Sequence, residues 1–110
     1  MGKPIKGLTL SPEEVTDSHR GEMFANIVAR DGRGRGVGYV EYSIFQGAPH
    51  LEFIEVAKRA RRKGVARQLI QKLAGEYGYD KIDWGMSLPE GSELKKALDK
   101  EHAELERIDE

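Results

Sequence analysis

Residues 55–75, EVAKRARRKGVARQLIQKLAG, hold seven of the chain's eighteen Lys+Arg and no acid between Glu55 and Glu76. The second half reads as a helix. Val65, Leu69, Ile70, Leu73 and Tyr77 recur at helical spacing as one apolar stripe, opposite Arg67, Gln68, Gln71 and Lys72. The first half works against that helix, because a helix start carries partial positive charge and unpaired N–H groups that favour Ser, Thr or Asp caps and acids in the first turn. Here the start is Arg61-Arg62-Lys63-Gly64. Each misplaced cation costs about 0.3–1 kcal/mol at low salt unless an anion occupies the turn. A phosphate there would reverse the sign, with Gly64 allowing close approach and the N–H groups of the turn pointing at it. The plainer reading is a solvated basic helix end.

Before this turn, His50-Leu51-Glu52-Phe53-Ile54-Glu55-Val56 reads as a strand. Strand, short basic loop, Arg61-Arg62-Lys63-Gly64-Val65-Ala66 and amphipathic helix together resemble the coenzyme-binding motif of the GNAT family of N-acetyltransferases, Q/R-x-x-G-x-G/A after a strand ending in a valine-like residue. The resemblance covers roughly residues 36–100.

With 110 residues the chain is expected to form one domain, residues 1–110, burying roughly two-thirds of its unfolded surface. Hydrophobic residues make up 38% and charged residues 34%, and the net charge of −1 gives no global pull towards nucleic acid or membrane. There is no cysteine, hence no disulfide and no thiolate nucleophile, and no apolar run is long enough to span a bilayer. A cytoplasmic protein is the expectation. His19, His50 and His102 lack metal-ligand spacing, and no GxSxG motif is present. Lys58 to Arg67 is a basic patch without interleaved aromatic residues in a chain of pI about 6.3, so nucleic acid is not the expected partner.

From the amino terminus, residues 4–10 suggest a short strand, and Ser11-Pro12-Glu13-Glu14 carries the marks of a helix start running to about Ser18. Glu22 to Asp31 alternates, with Met23, Ala25, Ile27 and Ala29 on one face, and Gly36 to Gln46 places Val40, Tyr42 and Ile44 together. Gly32-Arg33-Gly34-Arg35-Gly36 reads as the hairpin turn between them, and Gln46-Gly47-Ala48-Pro49 as a second turn. Gly78-Tyr79-Asp80 ends the central helix. Lys81 to Met86 then reads as a strand with Ile82, Trp84 and Met86 on one face. Ser87-Leu88-Pro89-Glu90 starts a last helix running to about Arg107 that buries Leu94, Ala97, Leu98 and Leu105.

The resemblance implies an α/β (α+β) acyl-CoA N-acyltransferase fold: a mixed, mostly antiparallel sheet with a central amphipathic helix and a carboxy-terminal helix, truncated at both ends. In that fold the strands flanking the central helix splay apart and admit the pantetheine arm of acetyl-CoA. By resemblance, the backbone of Ile54, Glu55 and Val56 pairs with the pantetheine amides and the acetyl carbonyl. Arg61, Arg62, Lys63, Gly64, Val65, Ala66 and Arg67 wrap the pyrophosphate, and Gly85 lies near the splay. N–H groups aimed at the thioester oxygen would also stabilise the charge developing there.

An acceptor amine must be neutral to attack, so a base or a water chain takes its proton. Period-two alternation puts His50, Glu52, Ile54 and Val56 on one side of the strand and Leu51, Phe53 and Glu55 on the other. The resemblance implies catalytic residues four and six positions before the valine, which makes Glu52 the first choice of general base and His50 the second. The alternative for each is a polar strand residue facing solvent. Two departures from the family matter. Residues 87–107 contain no tyrosine to return the proton to the thiolate, and the amino-terminal helices that build the acceptor site shrink to one short segment. An open acceptor face follows, suited to a protein lysine or to a site completed in a homodimer. The function expected is acetyl transfer to a primary amine. The alternative is an inactive module of the same fold that acts by occluding a partner.

Overall fold

The computed structural model describes residues 5–61, 63–85 and 96–100. Five strands form one sheet: β1 (Thr9–Leu10), β2 (Glu14–His19), β3 (Glu22–Arg30), β4 (Gly36–Phe45) and β5 (Ala48–Val56). Strands β1 and β2 both pair with β3, and the order continues through β4 to β5, antiparallel throughout. Helix α1 (Val65–Tyr77) covers one face, and residues 96–100 are helical. The mixed character comes from beyond β5, where Asp83 bridges His50 in parallel.

The core follows the two periodicities. Ala25, Ile27 and Ala29 of β3 and Val40, Tyr42 and Ile44 of β4 are buried against Val65, Leu69, Ile70 and Leu73 of α1. Met23, at the end of the β3 stripe, remains 40% exposed. Two tight turns set the register. Asp31 organises the first, its Oδ1 accepting from the N–H of Arg33 at 2.9 Å and of Arg35 at 3.0 Å. Arg35 is held there by its own bond from Nε to Asp31 Oδ2. The second is a two-residue hairpin in which Gln46 and Gly47 have φ of 53° and 76°, the left-handed pair that matches strand twist. β5 therefore begins at Ala48, two residues before the sequence suggested. Gly38 permits one close approach: a Cβ there would meet Val65 Cγ1 at 2.9 Å and the Glu55 carbonyl oxygen at 3.1 Å. It sets the amino end of α1 directly on β4.

Several sequence expectations are corrected. The segment after Ser11 is a strand, β2, and not a helix. Its residues are all exposed and hold one apolar side chain, Val15, so a helix would have had no stripe to bury. The capping residues are used elsewhere. Ser11 Oγ accepts from Val28 N–H at 2.9 Å, and its N–H donates to Val28 C=O at 2.8 Å, continuing the β1 pairing as far as Pro12. Glu13 Oε2 accepts the hydroxyls of Tyr42 and Tyr77, each at 2.6 Å. The first strand is only Thr9–Leu10 within the described residues. Of the expected strand Lys81 to Met86, the described residues 81–85 form no ladder: a 3-10 turn, Tyr79–Lys81, precedes one bridge at Asp83. Of its expected face, Ile82 is buried, Trp84 is half-buried and Met86 lies outside the described residues. In the last helix Leu98 is buried but Ala97 is exposed; Ser87 to Glu90, Leu94 and Leu105 lie outside the described residues.

Candidate active site

β5 positions everything that follows, and its face pattern is not the one alternation gives. Glu41 pairs with Phe53 and Tyr42 with Leu51, leaving Glu52 as an extra, bulged residue. Residues opposite one another share a face, so Leu51, Ile54 and Val56 go with Tyr42, Val40 and Gly38 towards α1. His50, Phe53 and Glu55 go with Ser43, Glu41 and Tyr39 on the other face. The expected grouping of His50 with Ile54 and Val56 is thereby overturned. The bulge nevertheless keeps the two candidate bases together. Ser43 Oγ donates to Glu52 Oε1 at 3.3 Å, and Glu22, Ser43, Phe45, His50 and Glu52 line one shallow cavity of about 400 Å³.

His50 has a partner from a distant segment. Its Nδ1 lies 3.0 Å from Asp83 Oδ2. Asp83 is fixed on both sides of the histidine, since its N–H donates to Pro49 C=O at 2.9 Å and its C=O accepts from Leu51 N–H at 2.8 Å. Asp83 Oδ1 also accepts Gly85 N–H at 2.8 Å, and this bond, with His50 beside it, holds the Asp83 carboxyl below its ordinary range. Among the described residues this is the one bridge between the two segments, and β5 runs on to Val56. Gly85 still lies close to β5, where a Cβ would meet the Leu51 carbonyl oxygen at 3.3 Å. Gly85 is thus placed beside β5, two residues past the bridge. A second cavity of about 530 Å³ opens on the far side of that segment, lined by Tyr79, Ile82, Trp84 and Asp99 among others.

At the other end of β5 the chain turns through Lys58–Ala60 and is tied back to the sheet. Ala57 N–H donates to Val37 C=O at 2.8 Å, Arg59 Nη2 to Gly36 C=O at 3.3 Å and Arg61 Nε to Val56 C=O at 3.3 Å. Two of the basic residues therefore also brace the loop, and the Val56 carbonyl is already engaged by Arg61. Gly64 caps α1 with φ of 81° and no side-chain hydrogen bond, and no acid follows in the first turn. Nothing lies within 4 Å of where its Cβ would be. Its glycine is required by backbone conformation, and the space beside it is open. Val65 is buried in the core, so only its backbone can face a ligand, while Lys63, Ala66 and Arg67 are half-buried. Arg62 lies outside the described residues. Glu55 is exposed and accepts the Tyr39 hydroxyl at 3.2 Å.

A family model described as Acetyltransferase (GNAT) family matches residues 3–86, well over half of the chain. The chain belongs to the GNAT family. Neither the curated proteins nor the solved structures give a significant match. The five-stranded sheet with its helices is the acyl-CoA N-acyltransferase fold of that family, whose members in general carry out acyl-CoA-dependent acetyl transfer.

The residues present fit such a coenzyme. A GNAT co-substrate must join a diphosphate to a reactive thioester, and here an uncapped, cation-rich helix start stands at one end of β5. The His50 imidazole stands near the other, about 20 Å back at strand rise, and the Glu52 carboxylate between, about 13 Å back. Sequence reasoning missed Asp83, Ser43 and Glu22 as neighbours of His50 and Glu52, and missed Gly38 beneath α1. The one available signal was phase: Leu51, Ile54 and Val56 cannot all face a core by strict alternation, which marks a bulge between them. Among the described residues no cluster could hold a metal ion, and no helix is long and apolar enough to cross a membrane.

Proposed function

We propose that this GNAT protein transfers an acetyl group from acetyl-CoA to a primary amine that enters the cavity of Glu22, Ser43, Phe45, His50 and Glu52. The observation that carries this reading is the layout of β5. One strand connects a helix start suited to diphosphate with a pocket suited to an ammonium group and its deprotonation. Arg61, Arg62, Lys63 and Arg67 with the backbone at Gly64, Val65 and Ala66 would hold the diphosphate. The backbone of Ile54, Glu55 and Val56, with Gly85 opposite, would flank the pantetheine arm, Arg61 yielding the Val56 carbonyl as it turns to the anion. When bound, acetyl-CoA supplies the activated acyl group. Glu22 and Glu52 draw in the cationic amine, and Glu52 or His50 takes its proton. Because the cavity is shallow and its rim includes Phe45, 45% exposed, a lysine side chain of a protein fits better than an enclosed metabolite.

Acetyl-CoA at one hundred times its Kd should add about 2.7 kcal/mol of stability, a rise in Tm of roughly ten degrees or more for a domain of this size. No shift at millimolar acetyl-CoA would refute the assignment. Incubation with labelled acetyl-CoA and lysine-rich proteins should then give amide-linked label.

One observation favours a second reading, a binding module without turnover. The hydroxyls of Tyr77 and Tyr79 are given to Glu13 and Asp99, and those of Tyr39 and Tyr42 to Glu55 and Glu13, away from the pocket-lining residues. The double variant Glu52→Gln/His50→Gln separates the two readings: an enzyme loses transfer, whereas a module keeps its partner.

A further inference from the structure

The cavity holds two candidate bases, and the geometry distinguishes them. We propose that Asp83 is a positioning residue that makes His50 the general base, by fixing its Nδ1–H and presenting Nε2 to the acceptor cavity. This rests on the transferase reading above only for its catalytic half; the orientation of the imidazole stands without it.

An ionised carboxylate accepts hydrogen bonds and donates none. With Asp83 Oδ2 at 3.0 Å from Nδ1, a neutral His50 must carry its proton on Nδ1, which leaves the Nε2 lone pair available. Asp83 is kept ionised by the Gly85 N–H at 2.8 Å, and it cannot drift from the histidine because its backbone is bonded to Pro49 and Leu51 on either side. This arrangement is that of a base oriented by a third group. Glu52, by contrast, is on the bulge, and its Oε1 is already occupied by the Ser43 hydroxyl at 3.3 Å. Its charge serves instead to hold the arriving ammonium.

The groups facing His50 are Asp83 from the segment after α1, Ser43 of β4, Glu22 of β3 and Glu52 of β5. Three of the four are carboxylates, so the imidazolium formed by proton transfer is stabilised where it arises. In the step itself the arriving ammonium first gives one proton to Nε2, which passes it to bulk water; the neutral amine then gives a second proton to Nε2 as its nitrogen forms the amide C–N bond and the C–S bond breaks, and coenzyme A leaves as thiolate. The second proton passes from His50 to the thiolate through water, so one proton is released to solvent per turnover.

Nitrogen-15 NMR of the unliganded protein reads the orientation directly. At alkaline pH, with the imidazole neutral, the wild type should show Nδ1 protonated and Nε2 bare. Asp83→Asn should mix the tautomers, while dispersed amide signals report an intact fold. Protonated Nε2 in the wild type, or an unchanged tautomer in Asp83→Asn, would overturn the proposal whatever the activity. With acetyl-CoA and a lysine-rich peptide as probe, Asp83→Asn should cut kcat by ten- to a thousandfold. The KM for acetyl-CoA should hold. An unchanged kcat would overturn the positioning role. If the wild type transfers nothing to any amine, the transferase reading and the catalytic half fall together, and the NMR result still decides the orientation.

Discussion

The two ends of β5 are built in opposite ways. Past Val56, the cation-rich turn and the start of α1 come from one continuous stretch, and every group that could meet a diphosphate lies between residues 58 and 67. Towards its beginning, the pocket around His50 and Glu52 takes one residue from β3, two from β4, and Asp83 from 33 positions further on. A ligand contacted mainly through backbone and charge needs only a local turn, whereas proton transfer needs side chains fixed within hydrogen-bond reach. Fixing them takes a bulge and a parallel bridge, which are properties of the sheet.

The sharpest way to break this contrast is to remove the assembled end alone. His50→Gln should reduce kcat by roughly a hundred- to ten-thousandfold, the range of a positioned base, with the affinity for acetyl-CoA preserved by calorimetry. Comparable losses in both quantities would mean that the two ends are one site. Next in size is Gly38→Ala, whose Cβ would press on Val65 Cγ1 at 2.9 Å and the Glu55 carbonyl at 3.1 Å. Forcing α1 away from β4 should cost roughly 1–3 kcal/mol in urea unfolding and weaken acetyl-CoA binding while the pocket at the other end of β5 keeps its shape.

Glu13→Ala tests the body that carries both ends. It strands the hydroxyl of the buried Tyr42 and releases Tyr77, for a loss of roughly 1–3 kcal/mol. Burial first, and then Glu13, raise both tyrosine pKa values above the ordinary range. A raised acid pKa means that the folded state binds its proton more tightly than the unfolded state. The stability from this pair is therefore fully present below about pH 10 and is lost as pH climbs through the folded values. Alkaline denaturation should be less steep in Glu13→Ala than in the wild type.

The same division explains what could be read from the chain. The α1 stripe, the cation turn, β3, β4 and both hairpins depend on neighbours within one or two turns of chain, and all were legible. The segment Ser11 to Glu14 misled because a cap signal is local while its fate was decided at Val28, Tyr42 and Tyr77. Strict alternation along β5 failed at a single residue, Glu52, and that slip moved Leu51 and His50 to the opposite faces. For Asp83 no local signal exists: it is one acid between Ile82 and Trp84 until the sheet brings it to His50.

The smallest effect tests the cation turn most directly, because its sign depends on the ligand. Lys63 stands immediately before the Gly64 cap of a helix with no acid in its first turn. In the unliganded protein its charge opposes the helix dipole, so Lys63→Ala should raise stability by about 0.3–1 kcal/mol in dilute buffer. With acetyl-CoA present the same substitution removes an attraction, and affinity should fall by roughly two- to fivefold. Both effects should fade together in several hundred millimolar salt, as the screening length shortens to a few ångströms. A solvated surface lysine would show neither change, and a lysine that braces the fold would show a loss of stability in the absence of ligand. Only a charge held in place for an anion gives opposite signs in the two states.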